Sequence, residues 1–369
     1  MIRVHLGHQL PDGFPSPDVY FLPGYGRAAG VADDGEWVLF EAHDGAWQVP
    51  LILRTLIDGA KDAISPTFSG GYASPSLTSQ QIQEAWSATV SCLRERDVIS
   101  VVLRGSPLVP QASDLPGLRS IVSRPTIVLE AADTESAWSG MQGSCRGKIR
   151  KALKNGYTGD VRQAKGQDLE PHGDFRRLYE QTMQRCAAAP LYFFSDRYYK
   201  ELLDGLGSNL LITEVRDQMG VVASSGLLMR HGQRLHAHLV GSNRDDARMG
   251  SNNLLTWAEM QFAIDQGLSQ YHIGGGVDRR DSLFKFKHSF GGRELEYGVS
   301  GQIIDHERYQ AHVQNRAKAC DIATDTLLAS NFFPAYRGGA PMSETPQTFY
   351  AGKAKRVLDT ASSSILLPP

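Results

Sequence analysis

The strongest constraint on the fold is that one order of elements occurs twice. In the first half, the strand-like stretches Trp37–Glu41 and Val49–Leu53 flank the turn residues His43-Asp44-Gly45. A glycine-rich loop, Phe68-Ser69-Gly70-Gly71-Tyr72, leads into a predicted helix from about Thr78 to Arg96 and then a buried-type strand, Val98–Leu103. In the second half, strand-like runs at Leu210–Val215, Val221–Met229 and Leu235–Val240 precede a polar loop, a helix from about Asn252 to Asp265, and the strand Tyr271-His272-Ile273. Each helix carries a tryptophan, Trp86 or Trp257, 19 residues before a glycine that follows the next strand, Gly105 or Gly276. Repeated supersecondary order of this kind points to two copies of one fold.

The length agrees, since 369 residues at roughly 150 per domain make two domains and an appendage. The boundaries expected are an N-terminal domain over 1–140, a C-terminal domain with a basic entry helix over 141–305, and a helix with a loosely held tail over 306–369. With 41% apolar residues and a net charge of -2, the chain is neither disordered nor a bulk-basic nucleic-acid coat. Cys92, Cys145, Cys186 and Cys320 are scattered, without a Cys-x-x-Cys pair, and read as reduced thiols of a cytoplasmic protein. No apolar run approaches the ~20 residues that span a bilayer.

Standard catalytic signatures are missing: there is no Gly-x-Ser-x-Gly, His-Glu-x-x-His or Walker loop. Gly24-Tyr25-Gly26-Arg27-Ala28-Ala29-Gly30 has the wrong spacing for a dinucleotide loop and is expected to be a turn. His236 and His238 share one strand face, which reads as a polar cleft lining; no further ligand has a recognisable spacing, so no metal site is expected.

Chemistry concentrates in Tyr271-His272-Ile273-Gly274-Gly275-Gly276 and the segment through Asp281-Ser282-Leu283-Phe284-Lys285-Phe286-Lys287-His288-Ser289-Phe290-Gly291. A strand runs into three glycines, Gly274 to Gly276, which let a substrate approach the backbone. Asp281 or Ser282 can cap a short helix that Gly291 ends. At about 100° per residue, Lys287 falls with Leu283, Phe286 and Phe290 on the apolar face, whereas Lys285 lies on the far side. An ammonium among rings at a strand end can stabilise an oxyanion or phosphate, or it can snorkel into water. A second cluster, Arg146, Lys148, Arg150, Lys151 and Lys154, has no acid between Ser144 and Lys154 and is either a phosphate grip or a solvated face.

These blocks resemble a known family. Arg146-x-x-Ile149-Arg150-Lys151-Ala152-x-Lys154-x-Gly156, Leu178-Tyr179-x-x-Thr182-Met183-x-Arg185, Leu235-His236-x-His238-Leu239, Asn253-Leu254-Leu255-x-Trp257 and the glycine run with its Phe-Lys-Phe-Lys segment resemble the Fem-type (FemABX-like) branch of the GNAT superfamily. The likeness covers roughly residues 35 to 337. It implies an α/β (α+β) fold of tandem GNAT-like domains, each a mixed, mostly antiparallel sheet flanked by helices. It also implies transfer of an aminoacyl group from aminoacyl-tRNA, with no other cofactor, to a primary amine of a small-molecule or peptidoglycan precursor. Lys287 then stands where the family's lysine meets the reacting ester. Gly274, Gly275, Gly276, Phe286, His238 and Tyr72 are the substrate-binding candidates, and Arg146, Lys148, Arg150, Lys151, Lys154, Arg279 and Arg280 the tRNA-binding ones.

An ordinary acyl-CoA-dependent GNAT enzyme is the alternative. Its Gln/Arg-x-x-Gly-x-Gly/Ala loop corresponds here to Arg244-Asp245-Asp246-Ala247-Arg248-Met249-Gly250-Ser251, which lacks the first glycine and sets two aspartates where a diphosphate would sit. A third reading is a non-catalytic GNAT-like binding module. A monomer and a soluble amine acceptor are expected, because no basic amphipathic helix with exposed aromatics stands out.

Overall fold

The computed structural model describes residues 2–7, 10, 13–130, 132–276, 278–330 and 332–339. The tail expected beyond residue 339 lies outside them. In chain order the strands are β1 (Arg3–Leu6), β2 (Gly35–Ala42), β3 (Trp47–Thr55), β4 (Lys61–Ile64), β5 (Tyr72–Ala73), β6 (Val98–Arg104), β7 (Arg119–Leu129), β8 (Thr158–Gln163), β9 (Leu210–Arg216), β10 (Val222–His231), β11 (Arg234–Ser242), β12 (Gln270–Gly275) and β13 (Arg293–Ile303). The helices are α1 (Pro23–Ala32), α2 (Ser79–Arg94), α3 (Thr134–Gly140), α4 (Gly143–Lys154), α5 (Asp174–Arg185), α6 (Asp196–Leu206), α7 (Arg244–Met249), α8 (Ser251–Asp265), α9 (Ser282–His288), α10 (His306–Ala319) and α11 (Thr324–Leu328).

The chain forms two units. Of the described residues, one unit holds those through Ser123, Ala189–Glu201 and 297–339; the other holds Arg124–Ala188 and Leu202–Glu296. Within the first, strands neighbour each other in the order β1-β2-β3-β4-β6-β13, with β5 beside β3; within the second the order is β8-β9-β10-β11-β12-β7. Position for position these are the same sheet. Each has an antiparallel meander followed by one parallel pair, β4 with β6 and β11 with β12, joined by a crossover helix, α2 or α8. The last strand of each sheet comes from the other half of the sequence, so the units interleave, whereas the expectation above set the domains in series. Backbone pairing of strands distant in sequence leaves no local mark to read.

Local signals explain most elements. The β2–β3 hairpin turns through His43, Asp44 and Gly45, all at positive φ (54°, 53°, 85°), as a tight hairpin demands. Helix α2 starts at a capping box in which Thr78 and Gln81 satisfy each other's amides. Trp86 is fully buried, its indole donating to the Pro116 carbonyl at 3.1 Å; Trp257 packs edge-on against Trp138, 5.1 Å between ring centres. The helix expected from His306 to Ala329 is two helices, α10 and α11.

A further expectation is corrected. Gly24–Gly30 is not a turn but lies inside α1, whose first residue is Pro23. The glycines serve close packing: a Cβ on Gly26 would stand 2.2 Å from the Trp37 ring and one on Gly30 2.8 Å from the Gly35 carbonyl oxygen. That contact makes the helix tolerate residues of poor helix propensity.

Candidate active site

The two sheets differ at their parallel pairs. In the first unit, β4 and β6 stay joined from Lys61↔Val98 to Ile64↔Val102. The seam continues as Ser65 N–H donates to the Val102 carbonyl at 2.8 Å, Ser65 Oγ accepts from Arg104 N–H at 2.7 Å and Ser69 bridges to Gly105. In the second unit, β11 and β12 pair only from Arg234↔Gln270 to His236↔His272. Beyond that point β11 stays with β10 and β12 with β7, so the carboxyl ends of two parallel strands diverge. Ligands bind outside such carboxyl ends where neighbouring strands part.

His238 marks the parting. Across β10, Leu239 faces Leu227 and Ala237 faces Leu228, leaving His238 as the extra residue of a β-bulge. Its ring is buried, and burial, with His236 adding to it, pushes its pKa down to about 3, so it is neutral. His236 and His272 meet edge-on at 5.7 Å, and His272 Nε2 bonds to Thr126 Oγ1 at 2.6 Å. Among the described residues no group of three His, Cys, Asp or Glu side chains could hold a metal ion.

Lys287 reaches the same place from α9. Asp281 caps this helix, one carboxylate oxygen accepting from Phe284 N–H at 2.6 Å. Phe284 and Phe290 are buried and Phe286 packs beside them, edge-on to Phe290 at 5.2 Å. Lys285 and His288 point to solvent. Lys287 is 2% exposed, and its Nζ donates to the Gly275 carbonyl at 2.9 Å, at the end of β12. Burial pushes its pKa down to about 7, against a smaller upward pull from Asp281.

The glycine run has reasons of its own. Gly274 is at φ +72°, a Cβ on Gly275 would lie 1.9 Å from the Pro125 carbonyl oxygen, and one on Gly276 would strike the Asp281 carboxylate at 2.2 Å. These contacts fix where β12, β7 and the cap of α9 meet. Gly275→Ala is therefore expected to destabilise the protein by about 1–3 kcal/mol, the cost of overpacking; an unchanged thermal midpoint would show that β7 yields freely.

The start of α8 is where a GNAT fold would receive a diphosphate, and here it is covered. Gly250, at φ +100°, brings the chain against α4 so closely that a Cβ would sit 2.4 Å from the Lys148 carbonyl oxygen. Ser251, Asn252 and Asn253 are all buried; Asn253 Nδ2 donates to Cys145 Sγ of α4 at 3.5 Å. Lys151 Nζ donates to the Arg248 carbonyl at 3.1 Å. Of the two aspartates, Asp245 pairs with Arg248 and Asp246 accepts from the Tyr157 hydroxyl.

The remaining candidates are placed unevenly. Arg146 turns back to the carbonyls of Trp138, Ser139 and Met141, and Arg150 lies over the Trp138 ring, 5.2 Å from its centre. Arg279 is held by Glu294 and Glu296 and Arg280 lies beside Asp278, so their charge is offset locally. Tyr72 belongs to the first unit, in β5 opposite Gln48.

Two further residues, to which the sequence alone assigns no role, belong near this site. Arg185, at the end of α5, donates to the last carbonyl of β11, that of Ser242, at 3.1 Å. Glu259 of α8 is buried, and one of its oxygens accepts from the Tyr271 hydroxyl. The signal for Glu259 was an acid at the centre of a helix that is otherwise uncharged until Asp265.

Residues 142–287 match the family described as Acetyltransferase (GNAT) domain. The fold is similar to that of FemX, with a TM-score of 0.64 at 14% identity over 81% of this chain and 95% of that one. It is also similar to the C-terminal domain of a putative lysylphosphatidylglycerol synthetase from Agrobacterium fabrum, with a TM-score of 0.52 at 14% identity, covering 76% of this chain and 92% of that one. No curated protein matches the sequence. The match covers the second unit's β8 to α9, so the GNAT domain is the part of the chain that carries Lys287 and the glycine run. The chain has a Fem-like fold.

Proposed function

We propose that this protein moves an aminoacyl group from aminoacyl-tRNA to a primary amine, forming an amide bond. The observation that carries the reading is the covered start of α8: β11 and β12 part beyond His236 and His272, yet coenzyme A's diphosphate would have to displace α4. A donor that enters without a diphosphate at that helix suits such a site. The Fem-like fold and the Phe-Lys-Phe-Lys segment support the same choice.

In the reaction the acceptor amine, after losing a proton, attacks the ester carbonyl. The new C–N bond forms as the carbonyl π pair moves to oxygen. Lys287, fixed by the Gly275 carbonyl, donates an N–H to that oxyanion; as the carbonyl re-forms, the C–O ester bond breaks and the ribose oxygen leaves as a hydroxyl with the proton that the attacking nitrogen gives up. The acceptor is a soluble amine or a peptidoglycan precursor.

Incubation with a mixed pool of labelled aminoacyl-tRNAs and candidate amines is expected to give labelled amide. Ribonuclease treatment of the donor beforehand should abolish it. Product formed equally from acetyl-CoA, or product insensitive to ribonuclease, would replace this reading with the acyl-CoA one.

A further inference from the structure

We infer that the exposed face of α4, together with the turn joining β9 to β10, docks on an anionic lipid surface. The turn, Asp217-Gln218-Met219-Gly220-Val221, carries two apolar side chains in water: Met219 is 82% exposed and Val221 56%. Leu153, on the last turn of α4, is 49% exposed. The two segments touch, since a Cβ on Gly156, just beyond α4, would stand 3.0 Å from the Gln218 Cβ.

The exposed side of α4 that leads to this tip is cationic. Lys148, Arg150, Lys151 and Lys154 are exposed, and none pairs with a carboxylate among the described residues. No acid lies in α4. Asp217, the carboxylate of the turn, accepts through Oδ1 from the amides of Met219 and Val221 at 2.9 Å each and keeps its negative charge. Asp160 of β8 stands exposed as well, against four cations.

Charge alone would suit RNA equally; the apolar tip does not. A sugar–phosphate backbone gives Met219, Val221 and Leu153 nothing to bury into, whereas the boundary between headgroups and acyl chains takes apolar side chains below and lysines at phosphate level. Helix-by-helix reading of the sequence misses the surface because most of its apolar part comes from a turn distant in sequence.

The test uses the full chain with vesicles of phosphatidylcholine alone and vesicles that also contain phosphatidylglycerol. Sedimentation with the second kind only is expected. Met219→Ser with Val221→Ser should weaken it about tenfold through lost apolar burial, and Lys148→Gln or Lys154→Gln about fivefold each. All four positions are exposed, so thermal midpoints should not move. Against tRNA, the serine pair should leave affinity within about twofold. The inference is overturned by failure to bind phosphatidylglycerol vesicles, by vesicle binding that the serine pair does not weaken, or by a serine pair that weakens tRNA binding as much as vesicle binding.

Discussion

Replacing Lys287 with methionine is expected to cut turnover by about a hundredfold or more, the scale of losing one oxyanion donor, while making the folded protein more stable at neutral pH. The stability half follows from linkage. The folded-state pKa, about 7, lies below the ordinary 10.5, so between those values the unfolded chain holds more protons and stability rises with pH. Below about 7 the buried ammonium costs its full penalty, about 3–5 kcal/mol at about 1.4 per pKa unit. Methionine removes that cost but strands the Gly275 carbonyl, worth about 1–3 kcal/mol, for a net gain of about 2 kcal/mol at pH 7. Toward pH 10 the gain should vanish and reverse, because the wild-type amine is then neutral and still hydrogen-bonded. Denaturant titrations of both proteins at pH 7 and pH 10 read this directly. A methionine variant less stable at both would mean that Lys287 serves packing. The rate carries a second signature: the amine acceptor gains from rising pH while the ammonium is lost near 7, giving a bell-shaped profile whose alkaline limb disappears in the variant.

The placement of Lys287 was legible because it is a local matter. Helical periodicity over seven residues separates it from Lys285, and the cap at Asp281 fixes where that helix begins. The repeat was legible for the same reason, through the tryptophan-to-glycine spacing. What escaped depends on neighbours distant in sequence. The glycines of the run read as room for a ligand; that Gly275 also answers to Pro125 and Gly276 to Asp281 has no mark in the local sequence. The cationic helix read as a surface, and only its partner α8 reveals that its inner face covers a diphosphate seat. The bulge at His238 exists only in the register between β10 and β11.

Glu259→Gln is the other change with a large expected effect, and its sign runs opposite to that of Lys287 along the pH axis. Burial pushes the Glu259 pKa up to about 7 from the ordinary 4.5, against the Tyr271 hydrogen bond that lowers it. The folded protein therefore holds the extra proton between those values, and stability is lost as pH rises through about 7. Glutamine keeps an acceptor for the Tyr271 hydroxyl and cannot ionise. The variant should match the wild type near pH 4.5 and exceed it by about 2–3 kcal/mol at pH 8. Equal differences at both pH values would mean that the carboxyl stays neutral throughout or finds a partner when charged. Acting together, the two groups place a minimum in stability near pH 7: the acid becomes costly on approach from below, and the ammonium is relieved only above it. A chain selected for stability alone would carry methionine and glutamine at these positions. A double variant whose stability no longer dips near neutrality would show that these two buried groups set the minimum, and a dip that persists would place its origin elsewhere.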